Sequence, residues 1–192
     1  LTWHLLQKKV ELKAIEIDQD LKPRLDNMSS QHKQFSYLMA DVLTIDFRQL
    51  FLGKHVVKVV GNLPYEISTP LLFQLLSVAA DIDRMVFLLQ KEVVDRIVAA
   101  PGSTNYGRLS VMLQYFFHTT ALIEVPAEAF SPPPKVHSQV VMLRPKPFES
   151  IDVDYFSNFV KYLFAQKRKM LRQRFKHWVS KSDWDNENYL IW

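Results

Sequence analysis

The sequence predicts an α/β fold, a sheet wrapped by helices, with a small helical appendage at its end. Three observations predict it. Short apolar runs alternate with amphipathic stretches through the first three quarters of the chain. The turn Gly61-Asn62-Leu63-Pro64-Tyr65 directly follows one such run, Val56 to Val60. After Pro147 the apolar spacing changes from runs to a helical repeat.

Taken in chain order, Leu12 to Ile17 and Tyr37 to Leu43 are too short and too apolar for free helices and read as buried strands. His55 to Gly61 is a third strand and Met85 to Leu89 a fourth. Amphipathic spacing places helices over Pro70 to Ala80, Lys91 to Ala99 and Arg108 to Phe117. The Pro101–Gly102 pair marks a loop. Ala121 to Val125 and Gln139 to Leu143 are two further strands. They flank Phe130 to Lys135, whose three prolines cannot join a central ladder. Phe156, Phe159, Val160, Leu163, Phe164, Leu171, Phe175, Trp178 and Val179 then recur at helical spacing. The domain boundary falls near Pro145–Ser150, dividing an α/β domain at 1–147 from a small helical domain at 148–192.

Bulk properties narrow the function. With 192 residues, 48% hydrophobic and 23% charged, the chain can bury one good core plus an appendage. Zero cysteines exclude disulfides, thiol catalysis and cysteine-ligated metals, and fit a reducing, cytoplasmic setting. No apolar run is long enough to span a bilayer and no signal peptide opens the chain, so no membrane partner is expected. Between Tyr155 and Ser182 there are eight basic residues and no acid, so the rest of the chain sums to about −4 against a total of +4. A mildly acidic body with a cationic tail points to a nucleic acid held by the tail. The competing reading is a solvated helix face.

The sharpest chemical signal is Asn62 to Tyr65. In an open α/β sheet, ligands sit beyond the carboxyl ends of the strands, where this turn lies. Each residue has a task if the substrate is an exocyclic amine on a base, a poor nucleophile because its lone pair is delocalised into the ring. The Asn62 side-chain oxygen and the Leu63 carbonyl can accept the two amine hydrogens and favour a pyramidal nitrogen. Pro64 disfavours helical geometry at Leu63, keeping that carbonyl available. Tyr65 offers a face on which a flipped base can stack. The bland alternative is a strand-terminating turn in which Asn and Pro merely bend the chain.

Two acids close the preceding strands. A carboxylate at Glu16 can take both hydroxyls of a ribose, as in dinucleotide sites, and Asp41 can accept from an adenine amine. Singly, each is more often a solvated strand end or a helix cap. Together with Asn62 they mark three successive strand ends. Asp18 and Asp20 lack a third ligand at suitable spacing, the six histidines are scattered, and no metal is expected. There is no Gly-x-Ser-x-Gly, so hydrolase chemistry has no support. The stiff loop at Phe130 to Lys135 either presents Phe130 as the opposite wall of a base-stacking slot or packs it as a connector.

Four blocks in order, Val60 to Phe73 (VGNLPYEISTPLLF), Leu89 to Arg96 (LQKEVVDR), Tyr106 to Val111 (YGRLSV) and Ala129 to Val136 (AFSPPPKV), closely resemble the KsgA-type small-subunit ribosomal RNA adenine dimethyltransferases. The resemblance runs from about residue 1 to about residue 175. It implies a Rossmann-like methyltransferase sheet, S-adenosylmethionine as donor, and dimethylation of two adjacent adenosines near the 3′ end of small-subunit rRNA. The implied partner is the immature small ribosomal subunit, and the implied state a monomer. By position, Glu16 matches the family's ribose-binding acid and Asp41 its adenine-contacting acid. Asn62, Leu63, Pro64 and Tyr65 match its catalytic loop, Asn62 also lying against the cofactor. Phe130 matches the aromatic that stacks on the target base, with Lys135 beside it. Lys167, Arg168, Lys169 and Arg172 resemble the basic helix start implicated in rRNA binding.

The pattern departs from the family at its two ends. The family's first strand and its glycine-rich loop have no counterpart: the four glycines, Gly53, Gly61, Gly102 and Gly107, include no Gly-x-Gly. Leu1-Thr2 resembles the residues just after that loop, and Asp183 to Trp192 match nothing in it. The expectation is therefore a chain lifted from a longer polypeptide, with half of its cofactor site missing and inactive by itself. Three alternatives stay open. One is a non-catalytic RNA-binding assembly factor on the same fold. The others are a large-subunit rRNA methylase, which typically carries Ile in place of Leu63, and a DNA adenine methylase.

Overall fold

The computed structural model describes residues 1–54, 56–149 and 151–165. It is an α/β arrangement in which the strands form two hydrogen-bonded groups. A parallel pair, β1 (Leu12–Glu16) and β2 (Phe35–Met39), stands apart from a four-stranded mixed sheet. That sheet contains β3 (Val57–Asn62), β4 (Ile82–Gln90), β5 (Phe117–Val125) and β6 (Ser138–Pro145), in the order β3-β4-β6-β5. The β3–β4 pairing is parallel, and β6 runs antiparallel to both β4 and β5.

The helices are α1 (Thr2–Leu6), α2 (Lys22–Gln31), α3 (Phe47–Phe51), α4 (Tyr65–Leu75), α5 (Lys91–Ile97), α6 (Arg108–Phe116) and α7 (Val153–Ala165). The core lies on one face of the large sheet. Met85, Phe87 and Leu89 of β4 alternate inward beside Val141 and Leu143 of β6, all at most 1% exposed. Against them pack Leu72 and Leu75 of α4 with Met112, Leu113 and Phe116 of α6. Each such side chain contributes roughly 1.5–3 kcal/mol by leaving water.

Several boundaries differ from the sequence expectation. The second strand ends at Met39, because Asp41 accepts a hydrogen bond from Leu43 N and caps a 3-10 turn over Val42–Thr44. The helix expected from Pro70 begins at Tyr65, and its last expected residues form a 3-10 turn, Leu76–Asp81. Pro70 sits inside α4 despite lacking an N–H. Burial of Ser68, Leu71, Leu72 and Leu75 on one face outweighs that loss. The fifth strand starts four residues early, at Phe117, paired to Pro145.

Two contacts place the functional elements. Gln74 of α4 donates from Nε2 to the carbonyls of Leu43 (3.3 Å) and Ile45 (2.8 Å), tying the turn after β2 to the helix that opens with Tyr65. Arg108 of α6 donates to Ser157 Oγ of α7 at 2.6 Å and lies 4.5 Å from the centre of the Phe73 ring, so one side chain joins α6 both to α7 and to α4.

Candidate functional site

β3 carries Val57, Val59 and Gly61 toward the core and Lys58, Val60 and Asn62 away from it. Asn62, its last residue, is exposed, and its side chain has no hydrogen-bond partner among the described residues. Leu63 N donates to Leu88 O at 3.4 Å, carrying the β3–β4 ladder one step past the strand. Pro64, at φ −54° and ψ 137°, is extended and stands just before α4. The chain thus leaves β3, exposes the Asn62 amide and turns into a helix within three residues.

Tyr65 is half-buried and held at both ends. Its carbonyl accepts from Ser68 Oγ at 2.9 Å, and its hydroxyl shares a 3.1 Å hydrogen bond with Ser138 Oγ at the start of β6. Phe130 is half-buried and Lys135 exposed, both in the loop that runs into Ser138. The rings of Tyr65 and Phe130 do not touch among the described residues. Lys91 N donates to His137 O at 2.9 Å and so fastens the end of this loop to the end of β4.

The two acids occupy the same end of the β1–β2 pair. Glu16 lies in register with Met39, and Ala40 N donates to Glu16 O at 2.9 Å. Glu16 Oε1 accepts from Ile17 N and Asp18 N, both at 2.9 Å. Asp41 Oδ1 accepts from Leu43 N at 2.9 Å. Each carboxylate is therefore oriented by backbone through one oxygen, while the other has no partner among the described residues. The structure thus gathers the sequence candidates into two groups. Glu16 and Asp41 share one strand end, and Asn62, Leu63, Pro64 and Tyr65 share another, joined through Ser138 to the loop that carries Phe130 and Lys135. Lys167, Arg168, Lys169 and Arg172 lie outside the described residues.

Beyond β4 lies a feature that no motif announced, an open cavity of about 590 Å³ lined by Gln90, Lys91, Asp95, Glu124 and His137. Lys91 Nζ lies 2.5 Å from Glu124 Oε1 and 3.4 Å from Asp95 Oδ1. The bond from Lys91 holds the Glu124 carboxyl below its ordinary value, and the same bond raises Lys91. Ser138 was equally invisible, because a lone serine in a strand carries no pattern. Among the described residues no His, Asp or Glu group is arranged to hold a metal ion, and no helix is long and apolar enough to cross a membrane.

Comparison with known proteins places this geometry. The profile of the Ribosomal RNA adenine dimethylase family matches residues 1–188. The Ribosomal RNA small subunit methyltransferase A of Legionella pneumophila (strain Philadelphia 1) is 50% identical over 185 residues, which cover 95% of this chain and 71% of that protein. The protein of the same name from Acinetobacter baylyi is 45% identical over 188 residues, covering 96% and 69%. Among solved structures, a dimethyladenosine transferase from Plasmodium falciparum superposes with a TM-score of 0.71 at 31% identity, covering 86% of this chain and 59% of that one. The 23S rRNA methyltransferase ErmE superposes with a TM-score of 0.68 at 22% identity, a likeness of fold, covering 90% and 68%. A profile match over nearly the whole sequence, together with relatives that share half of its residues, shows that this chain belongs to the ribosomal RNA adenine dimethylase family.

Proposed function

We propose that the protein dimethylates the exocyclic amines of two adjacent adenosines near the 3′ end of small-subunit rRNA within immature small ribosomal subunits. The observation that carries this reading is the state of Asn62. It ends β3 exposed, with an amide that has no partner among the described residues, three residues before a tyrosine fixed by hydrogen bonds at both ends. In this reading Asn62 Oδ1 and the Leu63 carbonyl accept the two amine hydrogens and hold the nitrogen pyramidal. Tyr65 and Phe130 take the flipped adenine between them, and Lys135 meets the adjoining phosphate. The surplus proton leaves to water after transfer, so no general base is needed.

The acids fit the donor. One carboxylate oxygen of Glu16 remains for a pair of ribose hydroxyls and one of Asp41 for an adenine amine, each carboxylate being preset by its backbone bonds. S-adenosylmethionine, when bound, supplies a methyl carbon made electrophilic by its sulfonium. The basic segment with Lys167, Arg168, Lys169 and Arg172, in a small helical RNA-binding domain at 148–192, holds the rRNA backbone. The relatives' shared name, small subunit methyltransferase A, favours the small-subunit substrate over the large-subunit one.

The test is methyl transfer from labelled S-adenosylmethionine by the intact protein to immature small subunits, large subunits and duplex DNA. Label confined to the small-subunit rRNA supports the reading. Label in DNA or the large subunit overturns it, and failure to bind S-adenosylmethionine leaves a non-catalytic assembly factor.

A further inference from the structure

We infer that Ser138 is a positioning residue that fixes where the Tyr65 ring lies for base stacking. The inference rests on the proposed function, in which Tyr65 is one wall of the adenine slot. A tyrosine attached only through its backbone can rotate about χ1, which carries the whole ring with it. Tyr65 is fixed at its far end as well, by the 3.1 Å hydrogen bond to Ser138 Oγ.

Ser138 is suited to act as an anchor. It is 1% exposed and opens β6, with its backbone in register with Gln90 of β4 on one side and Val125 of β5 on the other. A residue flanked by strands on both sides has little freedom to follow the ring. The bond spans 73 positions and crosses β4, tying the turn beyond β3 to the far side of the sheet. The opposite end of Tyr65 is held by Ser68, itself 2% exposed. Stacking needs the ring in place before the base arrives, and small misplacements of a positioning group cost rate rather than affinity.

A purely structural serine, present only to satisfy a buried hydroxyl, would give the same distance. A double-mutant cycle on kcat separates the two. The intact protein, Ser138→Ala, Tyr65→Phe and the double variant are assayed on immature small subunits. Tyr65→Phe keeps the stacking ring and removes only the hydroxyl. Each single variant should lose about 5- to 20-fold in kcat, with KM for the subunit changed by less than about 2-fold. The double variant should fall no further than the slower single. Losses that multiply in the double variant, or a kcat for Ser138→Ala equal to that of the unsubstituted protein, would overturn the inference. Should Ser138→Ala not fold, Tyr65→Phe decides alone: an unchanged kcat overturns the inference and the stated loss supports it. An unsubstituted protein that transfers no methyl would sink the underlying reading and this inference with it, a result distinct from failure of the cycle.

Discussion

Lys91, the first residue after β4, is ion-paired to Glu124 near the end of β5, and the pair bridges two strands that are not neighbours in the sheet. Glu124 is lowered from 4.5, so its contribution to stability is present above about pH 4.5 and is lost as pH falls through the lower folded value. Lys91 is raised from 10.5, so its contribution is present below that pH and lost only as pH rises through the higher folded value. Urea midpoints of the unsubstituted protein and Glu124→Gln should therefore differ by a constant amount at neutral pH and converge below about pH 4.5. A difference that persists at low pH would assign the effect to packing.

Asn62 and Glu16 should fail in opposite ways. Asn62→Ala removes the acceptor proposed to hold the reacting amine and should lower kcat by about 10²–10³-fold, the usual loss for one such group. Because the side chain is exposed, the melting temperature should not move. Glu16→Ala should raise the Kd for S-adenosylmethionine by about tenfold or more while changing kcat at saturation far less. Calorimetric titration of both variants with the cofactor checks the division.

Gly61 tests how tightly the turn is packed. A Cβ there would meet Leu63 Cδ2 at 2.8 Å and Phe87 Cδ1 at 3.5 Å. The first contact is too close, so the Leu63 side chain must move, and the carbonyl proposed to hold the amine moves with it. Gly61→Ala should lower kcat by about tenfold with a modest loss of stability, since the clashing atom is a flexible side-chain end. Unchanged turnover would show that the Leu63 backbone is independent of its side chain.

Replacing Lys167, Arg168 and Lys169 together by Ala should weaken rRNA binding and reduce the slope of log K against log salt by roughly 2–3. Filter binding at several salt concentrations measures it. An unchanged slope would remove these residues from the RNA contact.

The large sheet and the turn after β3 were legible because their signals are local. β3 alternates, β4 and β6 are near-continuous apolar runs, and the residues of the turn adjoin one another. What escaped has physical reasons. α2 buries no residue and so has no apolar stripe to read. α3 is five residues long, fewer than two helical turns, so its apolar spacing cannot repeat, although Asp46 caps it by accepting from Arg48 and Gln49. Pro70 hid the first turn of α4, because burial there outweighs a local preference. The Ser138–Tyr65 bond and the Lys91–Glu124 pair join residues far apart in the chain, and periodicity reports nothing about such meetings.

The two hydrogen bonds from the Gln74 amide to the carbonyls of Leu43 and Ile45 have a kinetic consequence. They brace the segment that carries Asp41 against the helix that opens with Tyr65. The amides of Leu43, Thr44 and Ile45 close that segment's turn, and in Gln74→Ala they should exchange with deuterated water sooner than in the unsubstituted protein.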